Sequence, residues 1–469
     1  MRIKPFVPAV ALLFARCLSA QSPNEAKVRE FTLEEAVDFA LKNYPAVRAS
    51  AERAKAAHAG VGLARTNYWP RADMLWQANR ASRNNVFGLL LPQAVIPTIS
   101  GPVLSTTSTE GVWGSAAGLL FSWEPIDFGA RRARVESSQA AESQTDAQLA
   151  FTRLDVAVAT INSFLTLVAA EQTVRAATAD VERREVFAKS VHVLLDNQLR
   201  AGADASRADA ELARARANLA RARQQQEVNR AALASILGIA DASVEAREGR
   251  VGDVPPENTP STSTLSTHPL AAAQQARVQQ LRSEVRFLDR SYYPKLNFQS
   301  AVYGRGSGAN TDGTFQGGSN GLGVDRSNWA AGLTITFPLF DIFSIRARKS
   351  IELANEQGEQ ARYDQTIQDL TGQLKKAQAS LEGARNVAQA TPVELHAART
   401  TEAQQRARYQ AGLATLVDVS DAQSLLVQAE IDDALARLAV WQNLASVAAS
   451  QGDLTPFLQY VREKPQGGP

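Results

Sequence analysis

The stretch AGLLFSWEPIDFGARRAR, Ala117–Arg134, returns without a gap as AGLTITFPLFDIFSIRAR at Ala331–Arg348. Asp127 falls on Asp341, and Arg132-Ala133-Arg134 on Arg346-Ala347-Arg348. A match of this kind, repeated further out on both sides, is the mark of a tandem duplication. Upstream, NYPAVRASAERAKAAHAGVGLARTNYWPRAD begins at Asn43 and THPLAAAQQARVQQLRSEVRFLDRSYYPKLN at Thr267. In each, two prolines stand 25 residues apart (Pro45 and Pro70, Pro269 and Pro294), and two aromatics precede the second. Downstream, GADASRADAEL at Gly202–Leu212 aligns with the end of RYQAGLATLVDVSDAQSLL, Arg408–Leu426, placing Asp204 on Asp418. The upstream pair is offset by 224 residues and the other two by 214, so one copy carries a longer loop.

Each copy reads helix, strand, loop, strand, long helix, turn, long helix. Thr32-Leu-Glu-Glu35 has capping-box spacing and opens the first helix, which Pro70 ends. In ADMLWQANR, Ala72, Met74, Trp76 and Ala78 share one face, with Asp73, Gln77 and Asn79 opposite. In WAAGLTITF, Trp329, Ala331, Leu333, Ile335 and Phe337 oppose Thr334 and Thr336. This period of two predicts strands at about 71–83, 112–123, 295–305 and 328–338. Between them, 84–111 and 306–325 are rich in Gly, Ser, Thr and Asn and read as exposed loops. GRGSGAN at Gly304 mimics part of a dinucleotide fingerprint without the strand-to-helix setting, and also reads as loop.

Helical hairpins are predicted at about 129–239 and 344–451. Ala130 to about Arg200 holds neither proline nor glycine, enough for about 105 Å of helix at 1.5 Å per residue. Such helices, with thin stripes of alanine, leucine and valine, cannot bury themselves alone and must pair as coiled coils. The first repeat is then 21–240, followed by a linker at 241–265, a second repeat at 266–452 and a tail at 453–469.

The composition, 45% hydrophobic and 21% charged over 469 residues, is that of a folded chain, and a formal net charge of +2 gives no reason to invoke nucleic acid. Residues 1–20, MRIKPFVPAVALLFARCLSA, have the basic start, apolar run and small-residue end of a secretory signal. Cleavage there removes Arg2, Lys4 and Arg16, turns the net charge slightly negative, and takes away Cys17, the one cysteine. Lipid attachment at Cys17 is the other reading; Arg16 stands where that motif takes a small residue.

Four short amphipathic strands leave open edges that lipid does not tolerate, and membrane barrels of this type have eight strands or more. If these strands enter a membrane, several chains must share one barrel, the apolar face meeting lipid and Asp73, Gln77, Thr334 and Thr336 facing the lumen. Trp69, Trp113, Trp123, Tyr293 and Trp329 near the strand ends fit an interfacial girdle. A small soluble sheet packed on helices is the plainer alternative.

FTLEEAVDFALKNYP (31–45), the duplicated element order, FPLFDIF (337–343) and RYQAGLATLVDVSDAQ (408–423) together resemble the TolC-like outer-membrane efflux factors, from about Phe31 to Leu454. The resemblance implies a mainly α fold with a small membrane β part: a homotrimer whose 12-stranded β-barrel continues as an α-helical coiled-coil barrel. It implies a passive exit duct in the outer membrane, with a large periplasmic part and contact with outer-membrane lipid. Its partners would be a periplasmic adaptor and an inner-membrane transporter driven by proton flux or ATP (RND or ABC type). It implies no catalysis, no cofactor and no nucleic acid, and cargo among drugs, metals, small metabolites or proteins. Two departures stand out. Tyr44-Pro45 replaces the usual Asn-Pro pair, and Ala414 stands where relatives carry a gating arginine.

By the same resemblance Gly412-Leu413, with Gly202 in the first hairpin, form the tips where an adaptor docks. Asp418 and Asp421 then lie just inside the entrance, and Tyr409 is the candidate closing hydrogen bond. Three residues apart on a helix, the two acids share a face, and in a trimer they form two carboxylate rings that favour cations. Equally, Thr415-Leu-Val-Asp418 has capping-box spacing, which would make Asp418 a helix start. Arg207 occupies the place of Asp421 in the first repeat, so one hairpin per chain would supply the acids. His58, His192, His268 and His396 have no ligand spacing, and no P-loop, nucleophile elbow or H-E-x-x-H occurs. The competing function is a periplasmic coiled-coil scaffold without a pore.

Overall fold

The computed structural model describes residues 28–82, 84, 107–198, 202–253, 255 and 265–462. The signal at 1–20 with Cys17, most of the 84–111 loop, and parts of the 241–265 linker and 453–469 tail lie outside the described residues.

The chain begins with a short strand β1 (Arg29–Phe31) and helix α1 (Leu33–Asn43). Thr32 starts α1 by a reciprocal capping box. Its hydroxyl accepts from the Glu35 N–H at 3.3 Å, and the Glu35 carboxylate accepts from the Thr32 N–H at 2.9 Å. The helix does not run through to Pro70. Tyr44, at φ −65° and ψ 127°, is held extended by the proline that follows, and α2 (Pro45–Thr66) starts afresh.

Strands β2 (Arg71–Ser82) and β3 (Gly111–Ile126) come next, then α3 (Ala130–Asp196) and α4 (Gly202–Ile236). The second copy gives α5 (Pro269–Arg290), β5 (Lys295–Ser307), β6 (Arg326–Thr336), α6 (Asp341–Gln410) and α7 (Leu416–Gln451). Helix α6 continues through Pro392 and three glycines. Residues read as linker hold β4 (Val244–Ala246), parallel to β1, and the stretch read as tail holds α8 (Thr455–Arg462). Both are short segments whose order comes from what they lie on, which local sequence does not show.

The compact units cut across the two repeats. One comprises residues 49–152 and 263–372, the other residues 1–48, 153–262 and 373–469. In the first, the antiparallel sheet has the order β2-β3-β5-β6. The helices follow the same order: Ser50 of α2 meets Thr152 of α3, Glu136 of α3 pairs with Arg286 of α5 at 3.0 Å, and Arg282 of α5 pairs with Glu356 of α6 at 2.8 Å.

Register places Met74, Leu119, Val302 and Trp329 side by side across all four strands. These apolar side chains are 84%, 59%, 64% and 79% exposed. The alternate face carries Asp73, Gln77, Ser122, Gln299 and Thr334. The strand predicted at about 295–305 runs two residues further, through Gly306 and Ser307, which the sequence placed in the loop. A Cβ at Gly306 would lie 1.7 Å from the Gly323 carbonyl oxygen, so the glycine lets the β5–β6 loop backbone close onto the sheet.

In the second unit Ile161, Phe164, Leu165, Leu167 and Val168 of α3 are fully buried. Among the described residues α3 is the one helix long and apolar enough to cross a membrane, and half of its most apolar stretch is buried inside the protein. Trp441 of α7 meets Phe457 of α8 edge-on, with ring centres 6.1 Å apart, and its indole N–H donates to the Asp253 carbonyl at 2.9 Å.

Candidate pore entrance at the hairpin tips

The second tip is built by local backbone chemistry. After α6 the Gly412 N–H donates to the Tyr409 carbonyl at 3.0 Å and the Leu413 N–H to the Arg408 carbonyl at 2.8 Å. This is a Schellman ending, and Gly412 supplies the left-handed residue it needs at φ +77°. In that motif the residue after the glycine often folds back onto the helix. Leu413 does not; it is 70% exposed. The first tip differs. Among its described residues the left-handed one is Gln198, at φ +60°, while Gly202 is the first residue of α4.

Thr415 caps α7. Its N–H and hydroxyl both donate to Asp418 Oδ2, at 2.8 and 2.7 Å, and its hydroxyl accepts from the Asp418 N–H at 3.3 Å. The hydroxyl bond first and the backbone bond second hold the Asp418 carboxyl below the usual aspartate range, against a small burial cost and with help from the Arg408 charge. Asp418 therefore caps the helix and remains an exposed anion. Asp421, one turn on, is exposed and has no hydrogen-bond or ion-pair partner among the described residues.

Tyr409 is 2% exposed and sits inside the tip. Its ring meets Phe187 of α3 at 5.2 Å, in a core shared with Val191, Ala205, Ala208, Leu416 and Val419. Both hairpins contribute, so the two tips form one packed body. Behind this core lies a polar network that the sequence reading missed. Arg184 of α3, itself buried, donates to Asp180 at 2.9 and 3.1 Å, to Glu211 of α4 at 3.3 Å and to Ser424 of α7 at 3.0 Å. Its neighbour Arg183 holds Glu430 of α7 with two bonds, at 3.2 and 2.9 Å. The adjacent arginines in an alanine-rich run were the signal.

The histidines are dispersed. His58 pairs with Glu142, His192 with Asp209, His268 caps α5 and His396 is exposed on α6. Among the described residues no cluster of His, Cys, Asp or Glu is placed to hold a metal ion.

The pattern that defines the outer membrane efflux protein family matches residues 36–239 and 261–453, one segment in each repeat. The chain belongs to that family. As an outer membrane efflux protein, it is a channel-forming protein of the outer membrane with a large periplasmic helical part. Protein CyaE of Bordetella pertussis is 26% identical over 411 residues, covering 86% of this chain and 80% of CyaE. The fold is that of solved outer-membrane channels. OprN superposes with a TM-score of 0.70 at 20% identity, covering 90% of this chain and 89% of OprN. The Campylobacter jejuni channel CmeC superposes at 0.73 and 17%, covering 92% and 89%. The family and the solved neighbours are channels.

Proposed function

We propose that three copies of this efflux protein close their four-stranded sheets into one outer-membrane barrel and serve as the exit duct of a tripartite exporter. The observation that carries this is the register row Met74–Leu119–Val302–Trp329, an exposed apolar belt across a sheet whose outer strands, β2 and β6, each pair on one side only among the described residues. Such a sheet is stable in lipid only when its edges meet other chains. At the entrance of the duct Asp421 forms a ring of carboxylates, with the capping Asp418 as a second ring beside it. Tyr409 acts from within the tip, fixing the angle at which α7 presents both acids. Gly412 and the exposed Leu413, with Gly202 on the neighbouring hairpin, receive the periplasmic adaptor, which links the duct to an inner-membrane transporter of the RND or ABC type. The chain supplies a path and no energy.

Single-channel recording in a planar bilayer tests this. Wild type should give a cation-selective current that a trivalent cation blocks, because narrow acidic rings concentrate multivalent cations. Asp421→Asn should weaken the block, and Asp421→Asn with Asp418→Asn should abolish it. Selectivity and block indifferent to both changes would remove the acids from the pore. Folded oligomer that forms no channel at all would refute the duct.

A further inference from the structure

Where the sheet meets the helices, a partly open cavity of about 260 Å³ lies between the end of β3 and the start of α3, from the first repeat, and the end of α5 and the start of β5, from the second. Its walls carry four cations, Arg131, Arg134, Arg290 and Lys295, and two acids, Glu124 and Asp127. One acid is already used. Asp127 accepts from the Gly129 N–H at 3.3 Å and from the Arg131 N–H, and pairs with the Arg131 guanidinium at 3.0 Å. Burial would raise its pKa, but these bonds outweigh it and keep the carboxyl ionised. Arg131, 9% exposed, is further fixed by the Asn67 carbonyl at 3.2 Å and the Tyr68 ring at 5.1 Å. That pair is a neutral wall.

Arg134, Arg290 and Lys295 remain against Glu124 alone, and none of the three has an acidic partner among the described residues. Two of them are nonetheless held in place. The Arg134 guanidinium lies 4.2 Å from the centre of the Phe287 ring and that of Arg290 lies 5.9 Å from Tyr293. Tyr293 is in turn stacked on Phe128 at 5.3 Å. Phe128 adopts φ +51°, a costly conformation for a bulky side chain. Guanidinium groups resting on aromatic faces keep their donor edges free for a planar or tetrahedral anion.

The arrangement is not a by-product of the duplicated fold. At the equivalent positions, on α6 and on α2, Ile345 stands for Arg131, Leu63 for Phe287 and Thr66 for Arg290, while Arg348 matches Arg134. Arg71 stands for Lys295 and is paired with Asp73 at 2.9 Å. The excess positive charge thus rests mainly on positions that differ between the copies, and the space they line suits a headgroup-sized anion, below the roughly 300 Å³ at which drug-sized sites begin.

We propose that this cavity is a binding site for a phosphate group, presented either by a small soluble phosphate compound or by an anionic membrane lipid. The inference needs the chain's membrane location but not the three-chain duct. Pyrophosphate binding is measured by calorimetry on the detergent-purified full chain, and retention of phosphatidylglycerol by native mass spectrometry from vesicles containing that lipid. The variant Arg290→Gln/Lys295→Gln should weaken whichever ligand binds at least tenfold. Arg132→Gln should leave it unchanged, because Arg132 lies outside the cavity, paired with Glu136. Pyrophosphate binding lost in the variant supports the site with a soluble source. Lipid retention lost in the variant supports it with a lipid source. Absence of both in wild type, or equal binding in wild type and variant, overturns the proposal. Lys295→Met alone, at an exposed position, provides the same comparison if the double variant does not assemble.

Discussion

Asp418 illustrates how one carboxylate serves both folding and charge. Its folded-state pKa lies below the ordinary aspartate value, so its capping contribution is complete above about pH 4 and fades as pH falls through the lowered folded value. Thr415→Val removes the hydroxyl bond and should move that loss to higher pH, read as a rise in the acidic midpoint of cation conductance. Tyr409→Ala empties the middle of the shared tip core and should cost about 3–5 kcal/mol, the usual range for a buried aromatic. Hydrogen exchange should then show lost amide protection on both hairpins; loss confined to α6 and α7 would contradict a shared core. Sequence alone reveals the three-residue spacing of Asp418 and Asp421. It does not reveal that Tyr409 is buried, because Phe187 and Val191, which cover it, belong to the other hairpin. An aromatic beside a turn reads the same whether it faces solvent or core.

Among the elements, α3 carries the polar link between the hairpins. Arg184→Met should cost about 3–5 kcal/mol in denaturant unfolding, since it strands the buried Asp180 without its guanidinium. Arg184→Met with Asp180→Leu should recover most of that loss, because replacing both partners removes the unpaired charge. What was legible at this scale is the mainly helical class with a small β part, which follows from strands of period two and long proline-free helical runs. The break at Tyr44 follows from Pro45 by the pre-proline restriction, although the helical periodicity runs on across it. β4 left no local trace, and the Thr455-Pro456 start and apolar stripe of α8 are too short to specify a helix by themselves. A three-residue strand and a two-turn helix owe their order to β1 and Trp441, whose proximity no short window of sequence encodes. The duplication likewise reveals ancestry and element order, while the compact units take segments from both copies.

For the whole molecule, the two faces of the sheet make opposite demands. Leu119→Lys puts a charge in the apolar row and should cost up to about 2–4 kcal/mol in lipid, lowering the assembled fraction on a native gel. Thr334→Lys, on the polar face, should assemble like wild type. On the proposed ring, the outer sides of β2 and β6 have a further consequence, one of inheritance. A ring closed edge to edge has no spare strand, so a subunit whose edge cannot pair spoils every ring it joins. A cell that makes sound and edge-defective copies together loses far more than half its channels, and the loss compounds with each seat in the ring. Lesions confined to these edges should therefore be dominant, whereas lesions that keep the chain from folding drop out of assembly and should be recessive.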